Sequence, residues 1–347
     1  MRILNVMLGR GLGGLEQALL DYAVALTQCG HEVHTVIHPD AALRAVLEAN
    51  GAALHHLPHA GAWDPLAAMR LRRLLGQLRP DISIAHGNRA VSLLDKAGAA
   101  PVGAVLANYK IKCAGVAAAF CPTLDLRRHA IRQGVPASRA YHVPYMVDVP
   151  QTPRRYAWRT PPIIGTMGRF VAKKGFNVFI EALARLRANG GAFRAILAGD
   201  GPERSLLERL AVEHGLGGVL SFPGWVTDKS QFFGGIDVFC LPSQHEPFGI
   251  VLIEAMAHGL PIVATDSEGP TEILHDGIDG MIVPRGDVVR LEQALEALIA
   301  DRDNAETLAA NAYRHVLATY DLPRVGTRLD LAVREVVARA GRLEATG

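Results

Sequence analysis

The feature that most constrains this chain is a rhythm stated twice: a short apolar run, then a helix-length segment, repeated from Met1 to about Pro144 and again from Ile163 onward. A strand that reads as a continuous apolar run is buried on both faces. A strand followed by a crossover of helical length returns parallel to its predecessor. The expected fold class is therefore α/β, with two doubly wound parallel sheets in tandem. In the first half the strand candidates are Ile3 to Leu8, Glu32 to Ile37, Ala53 to Leu57, Ile82 to Ala85, Val102 to Ala107 and Tyr141 to Val143. Leu15, Leu19, Tyr22, Ala23 and Leu26 recur at helical spacing before Gly30, which suits a helix C-terminus. In the second half the strands are Ile163 to Met167, Arg194 to Leu197, Leu220 to Phe222, Val238 to Leu241 and Ile262 to Ala264. Helices are expected over Phe176 to Ala188, Glu203 to His214, Ile250 to His258 and Val288 to Ala300.

A chain of 347 residues exceeds what one hydrophobic core usually serves. The division is read as residues 1–150, a Pro-rich linker at 151–162, a second domain at 163–322, and a tail at 323–347 that is helical throughout and suited to bracing the first domain. Such sheets bind ligands beyond the carboxyl ends of their strands, here in the cleft expected between two domains.

Composition removes other classes. A net charge of +2 lacks the basic footprint of a nucleic-acid binder. No apolar run approaches the roughly 18 to 20 residues of a membrane span, so membrane contact would be peripheral. Met1 to Leu8 is read as a buried strand rather than a leader, because Gly9 ends the run early. Cys29, Cys113, Cys121 and Cys240 are far apart, without metal-binding spacing, and are read as reduced thiols of a cytoplasmic protein. His55, His56 and His59 lack a spacing-matched carboxylate and are read as solvated loop histidines.

Three segments carry chemistry. Gly9-Arg10-Gly11-Leu12-Gly13-Gly14-Leu15-Glu16 joins the first strand to a helix, where glycines admit close approach and helix amides can face an anion. It lacks the Lys-Ser/Thr of a nucleoside-triphosphatase loop. Nor does an acid end the second strand, which a dinucleotide-dependent oxidoreductase would need. Gly168-Arg169-Phe170-Val171-Ala172-Lys173-Lys174-Gly175 follows the first strand of the second half, so Arg169 and Lys174 can neutralise a diphosphate there. His245-Glu246-Pro247-Phe248-Gly249-Ile250-Val251-Leu252-Ile253-Glu254-Ala255-Met256 follows the strand Val238 to Leu241. Glu254 interrupts an apolar run, where an unpaired carboxylate is costly.

Arg169 with Lys174, and Glu246 and Glu254 separated by seven residues after a strand, resemble the retaining glycosyltransferases of family 4, whose fold of two Rossmann-like lobes is called GT-B. The resemblance spans nearly the whole chain, through Gly13-Gly14-x-Glu16, Gly199-Asp200-Gly201-Pro202, Phe222-Pro223-Gly224 and Gly259-Leu260-Pro261-Ile262-Val263-Ala264. It implies that Arg169 and Lys174 bind the diphosphate of a nucleotide-sugar donor, that Glu254 binds the ribose, and that Glu246 contacts the transferred sugar. It further implies amides around Phe248, Gly249, Ile250 and Val251 on the distal phosphate, with Gly13 and Gly14 opposite and Trp225 and Val226 at the base.

The chemistry so implied is hexosyl or N-acetylhexosaminyl transfer from a nucleotide-diphosphate sugar, with UDP as the default, to a hydroxyl of a cell-envelope glycan or glycolipid such as a lipopolysaccharide core. Breaking the anomeric bond asks mainly for stabilisation of the departing diphosphate, which Arg169, Lys174 and a helix N-terminus can give without a metal or other cofactor. No Asp-x-Asp motif stands in the usual divalent-ion position. On the acceptor side His86, at the end of the strand Ile82 to Ala85, is read either as a residue that orients or deprotonates the acceptor hydroxyl or as a hydrogen-bonded strand-end histidine. Asn88, Asn108, Lys110 and Lys112 are the other candidate acceptor contacts; relatives often carry histidine where Leu106-Ala107-Asn108 stands. The basic amphipathic segment Met69 to Arg79 is read as a solvated face, with a peripheral foothold on the inner membrane as the alternative. The rival functions are a sugar-nucleotide epimerase of the same fold and a non-catalytic nucleotide-sugar binder.

Overall fold

The computed structural model describes residues 1–11, 13–61, 64–153 and 156–344. Leu12 of the first glycine-rich loop, residues 154–155 of the expected linker and residues 345–347 of the expected C-terminal helix lie outside them. The chain divides into two compact units. The first is Met1–Met146 together with the chain from Tyr320 onward, and the second is Val147–Thr319.

The first unit is a seven-stranded sheet of order β3-β2-β1-β4-β5-β6-β7, every pair parallel. Its strands are β1 (Arg2–Met7), β2 (Glu32–Ile37), β3 (Ala53–His56), β4 (Ile82–His86), β5 (Val102–Val105), β6 (Ala118–Cys121) and β7 (Ala140–His142). Its helices are α1 (Gly14–Gln28), α2 (Arg44–Ala49), α3 (Pro65–Leu78), α4 (Asn88–Ala97) and α5 (Leu124–Arg132). The second unit is a six-stranded sheet, again wholly parallel. It comprises β8 (Ile163–Met167), β9 (Arg194–Ala198), β10 (Leu220–Ser221), β11 (Val238–Leu241), β12 (Ile262–Thr265) and β13 (Met281–Val283), in the order β10-β9-β8-β11-β12-β13. Its helices are α6 (Phe176–Ala188), α7 (Arg204–Glu213), α8 (Lys229–Gly234), α9 (Ile250–Ala257), α10 (Pro270–Ile273), α11 (Val288–Ala300) and α12 (Arg302–Thr319). The last helix, α13 (Leu322–Glu344), belongs to the first unit and packs on α1. Gly326 admits that approach, since a β-carbon on it would stand 3.1 Å from the Ala25 methyl. His31 also grips Asp330 of α13 at 2.6 Å.

Two strands were not expected from sequence, nor were helices α8, α10 and α12. β6, Ala-Ala-Phe-Cys, is fully buried but has only one large apolar side chain, and β13 is three residues long. The segment expected to be a linker is packed within the second unit. Trp158 Nε1 donates to Glu306 of α12 at 2.8 Å, Arg159 pairs with Asp237 at 2.8 Å, and Tyr313 donates to the Pro150 carbonyl at 2.5 Å.

Each sheet has its own core. Phe179, Leu183, Leu197, Val263 and Leu295 are fully buried in the second unit, and Leu4, Val6, Ala85 and Leu93 in the first. In both sheets the strand order reverses direction beside the first strand, between β1 and β4 and between β8 and β11. Loops leaving the two central strands on opposite faces part there, which is where open α/β sheets bind ligands.

Candidate active site

The loops after β8 and β11 flank the switch point of the second unit. The first of them is folded tightly: Phe170 N–H donates to the Asp200 carbonyl at 2.8 Å, and Ala172–Lys174 forms a 3-10 turn. Gly175 then takes a φ of 64° and opens α6. A β-carbon there would meet the Pro242 carbonyl oxygen at 2.1 Å, so glycine is what lets the two loops touch. Gln244 and His245 N–H complete the seam on the Lys173 carbonyl, at 2.8 and 3.2 Å.

This seam brings the candidate charges together. Lys174 Nζ donates to Glu246 Oε2. Glu246 is mostly buried, with Ser243 Oγ at 3.4 Å, its N–H on Glu268 Oε2 at 3.2 Å and its carbonyl accepting from Gly269 N–H at 2.7 Å. Arg285 braces the same loops through the carbonyls of Gln244 (3.0 Å) and Asp266 (2.6 Å). Arg169 is exposed, and its guanidinium has no partner among the described residues. Gly249, at φ 96°, begins α9. Phe248 and Ile250 bury their side chains and Val251 is half-buried; Leu252 N–H turns back to the Gly249 carbonyl at 2.8 Å, while the Ile250 and Val251 amides ahead of it find no helical acceptor among the described residues. One helix N-terminus, one unpaired cation and one lysine–carboxylate pair thus stand at the end of two neighbouring strands, an arrangement suited to an anion.

Glu254 lies in the second turn of α9 and is only 7% exposed. Burial pushes its pKa up, and Lys229, whose Nζ stands 2.5 Å from Oε1, opposes that. Sequence reasoning did not single out Lys229. Thr227-Asp228-Lys229 reads as a helix start, and Asp228 does cap α8 by accepting from Gln231 N–H at 2.8 Å, but no motif says where the lysine reaches. Trp225, at 41% exposure, and the half-buried Val226 precede it in the same loop.

The first unit's candidates fare differently. His86 is 2% exposed, bonds through Nε2 to Asn5 Oδ1 at 2.8 Å and meets the Tyr22 ring edge-on at 5.1 Å. Burial drives its pKa down to about 3, which corrects the acid–base reading: an imidazole so enclosed and so weakly basic does not take a proton from an external hydroxyl near neutral pH. The Asn88 side chain donates to the Lys110 carbonyl (2.8 Å) and accepts from Lys112 N–H (2.7 Å), while Asn108 Oδ1 accepts from Lys110 N–H (2.8 Å). These two amides are engaged in shaping the 108–112 loop, although Asn88 is itself exposed; Lys110 and Lys112 are exposed as well. Gly13 and Gly14 open α1, and Glu16 folds back over the loop: β-carbons on Gly9 and Gly13 would lie 2.9 and 3.2 Å from its carboxylate oxygens. His59, read as solvated, is buried and holds the Leu8 carbonyl at 3.0 Å, and His55 and His56 belong to β3.

Away from these loops, His275 and His315 both place Nδ1 on Asp279 Oδ2, at 2.9 and 2.8 Å. Burial alone would raise the Asp279 pKa, but the two imidazoles outweigh it and hold the carboxyl below its usual range, clamping α12 to the turn after α10. All four cysteines are free thiols. No helix among the described residues is long and apolar enough to cross a membrane.

Comparison with known proteins agrees with this geometry. The model of glycosyl transferases group 1 matches residues 149–315, and that of the glycosyl transferase 4-like domain matches residues 13–109. The chain is similar to the lipopolysaccharide core biosynthesis glycosyltransferase LpsD of Rhizobium meliloti (strain 1021), 30% identical over 319 residues, 89% of this chain and 91% of that one. LpsE of the same organism, of the same printed function, is 40% identical over 159 residues, which span 46% of each chain. Among solved structures, Anabaena Alr3699/HepE in complex with UDP and glucose superposes with a TM-score of 0.83 at 19% identity, covering 96% of this chain and all of that one. Two wholly parallel sheets of the same switch-point order, two family models matched in sequence and a relative aligned over nearly its full length place this chain in the group 1, or family 4, glycosyltransferases of GT-B fold.

Proposed function

We propose that the chain transfers a hexosyl or N-acetylhexosaminyl group from a UDP-linked sugar to a hydroxyl of a cell-envelope glycan or glycolipid such as a lipopolysaccharide core, with retention at the anomeric carbon and without a metal. One observation carries the donor half of this reading: Arg169, the Lys174–Glu246 pair and the N-terminus of α9 converge at the switch point of the second unit, with Glu254 behind them in the second turn of that helix. The diphosphate lies against Arg169, Lys174 and the amides of Gly249 to Val251. Glu246 takes hydroxyls of the sugar and Glu254 those of the ribose, and the base lies beside Trp225 and Val226. UDP and the lipopolysaccharide acceptor are supported by the ligand of the HepE structure and by the relatives' printed function.

As the anomeric C–O bond breaks, its electron pair moves to the diphosphate, where Arg169 and Lys174 offset the developing charge. The acceptor oxygen bonds to the anomeric carbon from the face the diphosphate leaves. With His86 too weak a base, the acceptor's proton passes to the departing phosphate oxygen. Lys110 and Lys112 remain as acceptor contacts. The enzyme works in the cytoplasm, and α3 gives it a peripheral foothold on the inner membrane: Leu66 and Met69 are 56% and 55% exposed beside exposed Arg70 and Arg73, whereas Arg72 is spent on the Lys96 and Ala97 carbonyls.

The test is binding of a panel of UDP, GDP and ADP sugars with chelator present, followed by NMR of the product's anomeric configuration. UDP-sugar binding with retention supports the reading. An inverted product, a strict metal requirement, or conversion of the donor to its epimer with no acceptor present would each overturn the part concerned. Loss of co-sedimentation with anionic vesicles in a Leu66→Glu, Met69→Glu variant tests the foothold.

A further inference from the structure

Glu254 sits where a carboxylate is hardest to keep. Its neighbours along α9, Leu252, Ile253, Ala255 and Met256, are all fully buried, and the residue itself is nearly so. Two titratable groups face it. His258, at the end of the same helix, bonds through Nδ1 to the Glu254 carbonyl rather than to the carboxylate, at 2.8 Å. Lys229, from α8, is the cation on the carboxylate itself, and it touches Oε1 alone. Oε2 has no hydrogen-bond partner among the described residues.

The lysine is not a loose surface chain that fell on a neighbour. Its backbone opens α8 under the Asp228 cap, and Phe232 and Phe233 bury the next turn. Phe233 packs on the His258 ring at a centroid distance of 4.8 Å, the planes tilted by 32°, and meets Phe239 of β11 edge-on at 5.7 Å. α8 is thereby fixed against both α9 and β11, so the point from which Lys229 reaches Glu254 is set by packing.

We propose that Lys229 is a positioning residue of the nucleoside end of the donor site: it keeps Glu254 ionised and holds one carboxylate oxygen, leaving Oε2 turned to accept a ribose hydroxyl. The proposal rests on the reading that Glu254 binds the ribose. It assigns Lys229 to donor affinity and not to bond cleavage, which belongs to Arg169 and Lys174. Removing the lysine takes away the countercharge that opposes burial, so Glu254 stays protonated to higher pH and donor affinity weakens as pH falls.

The experiment is UDP affinity, with KM and kcat, for the wild type, Lys229→Met, Lys229→Arg, Glu254→Gln and the double variant, from pH 6 to 8.5. Lys229→Met is expected to weaken UDP binding about tenfold at the acid end and less at the alkaline end, with kcat nearly unchanged. Lys229→Arg restores most of the affinity, and Lys229→Met adds nothing to Glu254→Gln. His258→Gln, as a control, leaves the wild-type pH dependence in place. If Glu254→Gln binds UDP like the wild type, the ribose reading itself is wrong. If Glu254→Gln weakens binding but Lys229→Met is additive with it, independent of pH, or acts on kcat, the ribose reading stands and the role given to Lys229 is lost. Melting curves exclude global unfolding, and Lys229→Gln carries the same comparison should the methionine variant fail to fold.

Discussion

The two sheets share a strand order, and so each offers the same kind of opening beside its first strand, yet they furnish it in opposite ways. At the end of β1 and β4 the polar side chains are spent on the protein itself: His86 on Asn5, Asn88 on the 108–112 backbone, His59 and Arg89 on the Leu8 carbonyl, Arg10 on His38. At the end of β8 and β11 the charges are held but not used up. Lys174 and Lys229 each grip one oxygen of a glutamate, and Arg169 grips nothing among the described residues. A fold supplies the place for a ligand, and the residues decide whether anything is left over to bind it.

The sharpest way to break that contrast is Arg169→Ala. If Arg169 stabilises the leaving diphosphate, turnover falls on the order of a hundredfold or more with little change in folding; steady-state kinetics with unchanged kcat would remove it from the chemistry. Next comes Gly175→Ala. Its left-handed backbone and its closeness to Pro242 predict a loss of about 1–3 kcal/mol in a denaturant melt, together with weaker donor binding as the two loops part.

His86→Ala probes the other side. It should lower stability by about 1–3 kcal/mol, taking away the partner of Asn5 Oδ1, and leave the shape of the pH–rate profile unaltered. The sign of its acid effect follows from linkage. The unfolded chain takes up the His86 proton near its ordinary 6.5 but the folded one only near about 3, so between those values the unfolded state holds more protons and stability falls as pH drops. The variant should lose stability less steeply over that window. A limb of the kcat profile that vanishes with His86 would restore it as a base. The smallest effect is expected of Lys110→Ala and Lys112→Ala, which should raise the acceptor's KM a few-fold and leave the donor's alone; equal shifts in both would blur the division between the two units.

The contrast also explains what could be read from sequence. Strands such as Val238–Leu241, bounded by turns and apolar throughout, announce themselves, and so do cations in a glycine-bounded loop after a strand. β6 was silent because two of its four residues are alanines, which are as much at home in a helix. His86 could be placed at a strand end but not oriented, since its partner Asn5 is 81 residues away and on a neighbouring strand. Lys229 escaped for the same reason, its glutamate being 25 residues on and in another element. Local spacing reveals which groups share a loop or a helix face. It does not reveal which of them have already found partners.

The second unit is one unbroken stretch of chain, while the first is finished only by α13, which packs on α1. During synthesis the second unit's sheet can close as soon as its last helix leaves the ribosome, whereas the other, begun first, waits with the α13-facing side of α1 bare until α13 has been made. A stop codon after Thr319 would therefore spare the later-made sheet and leave the earlier one exposed to chaperones and proteases.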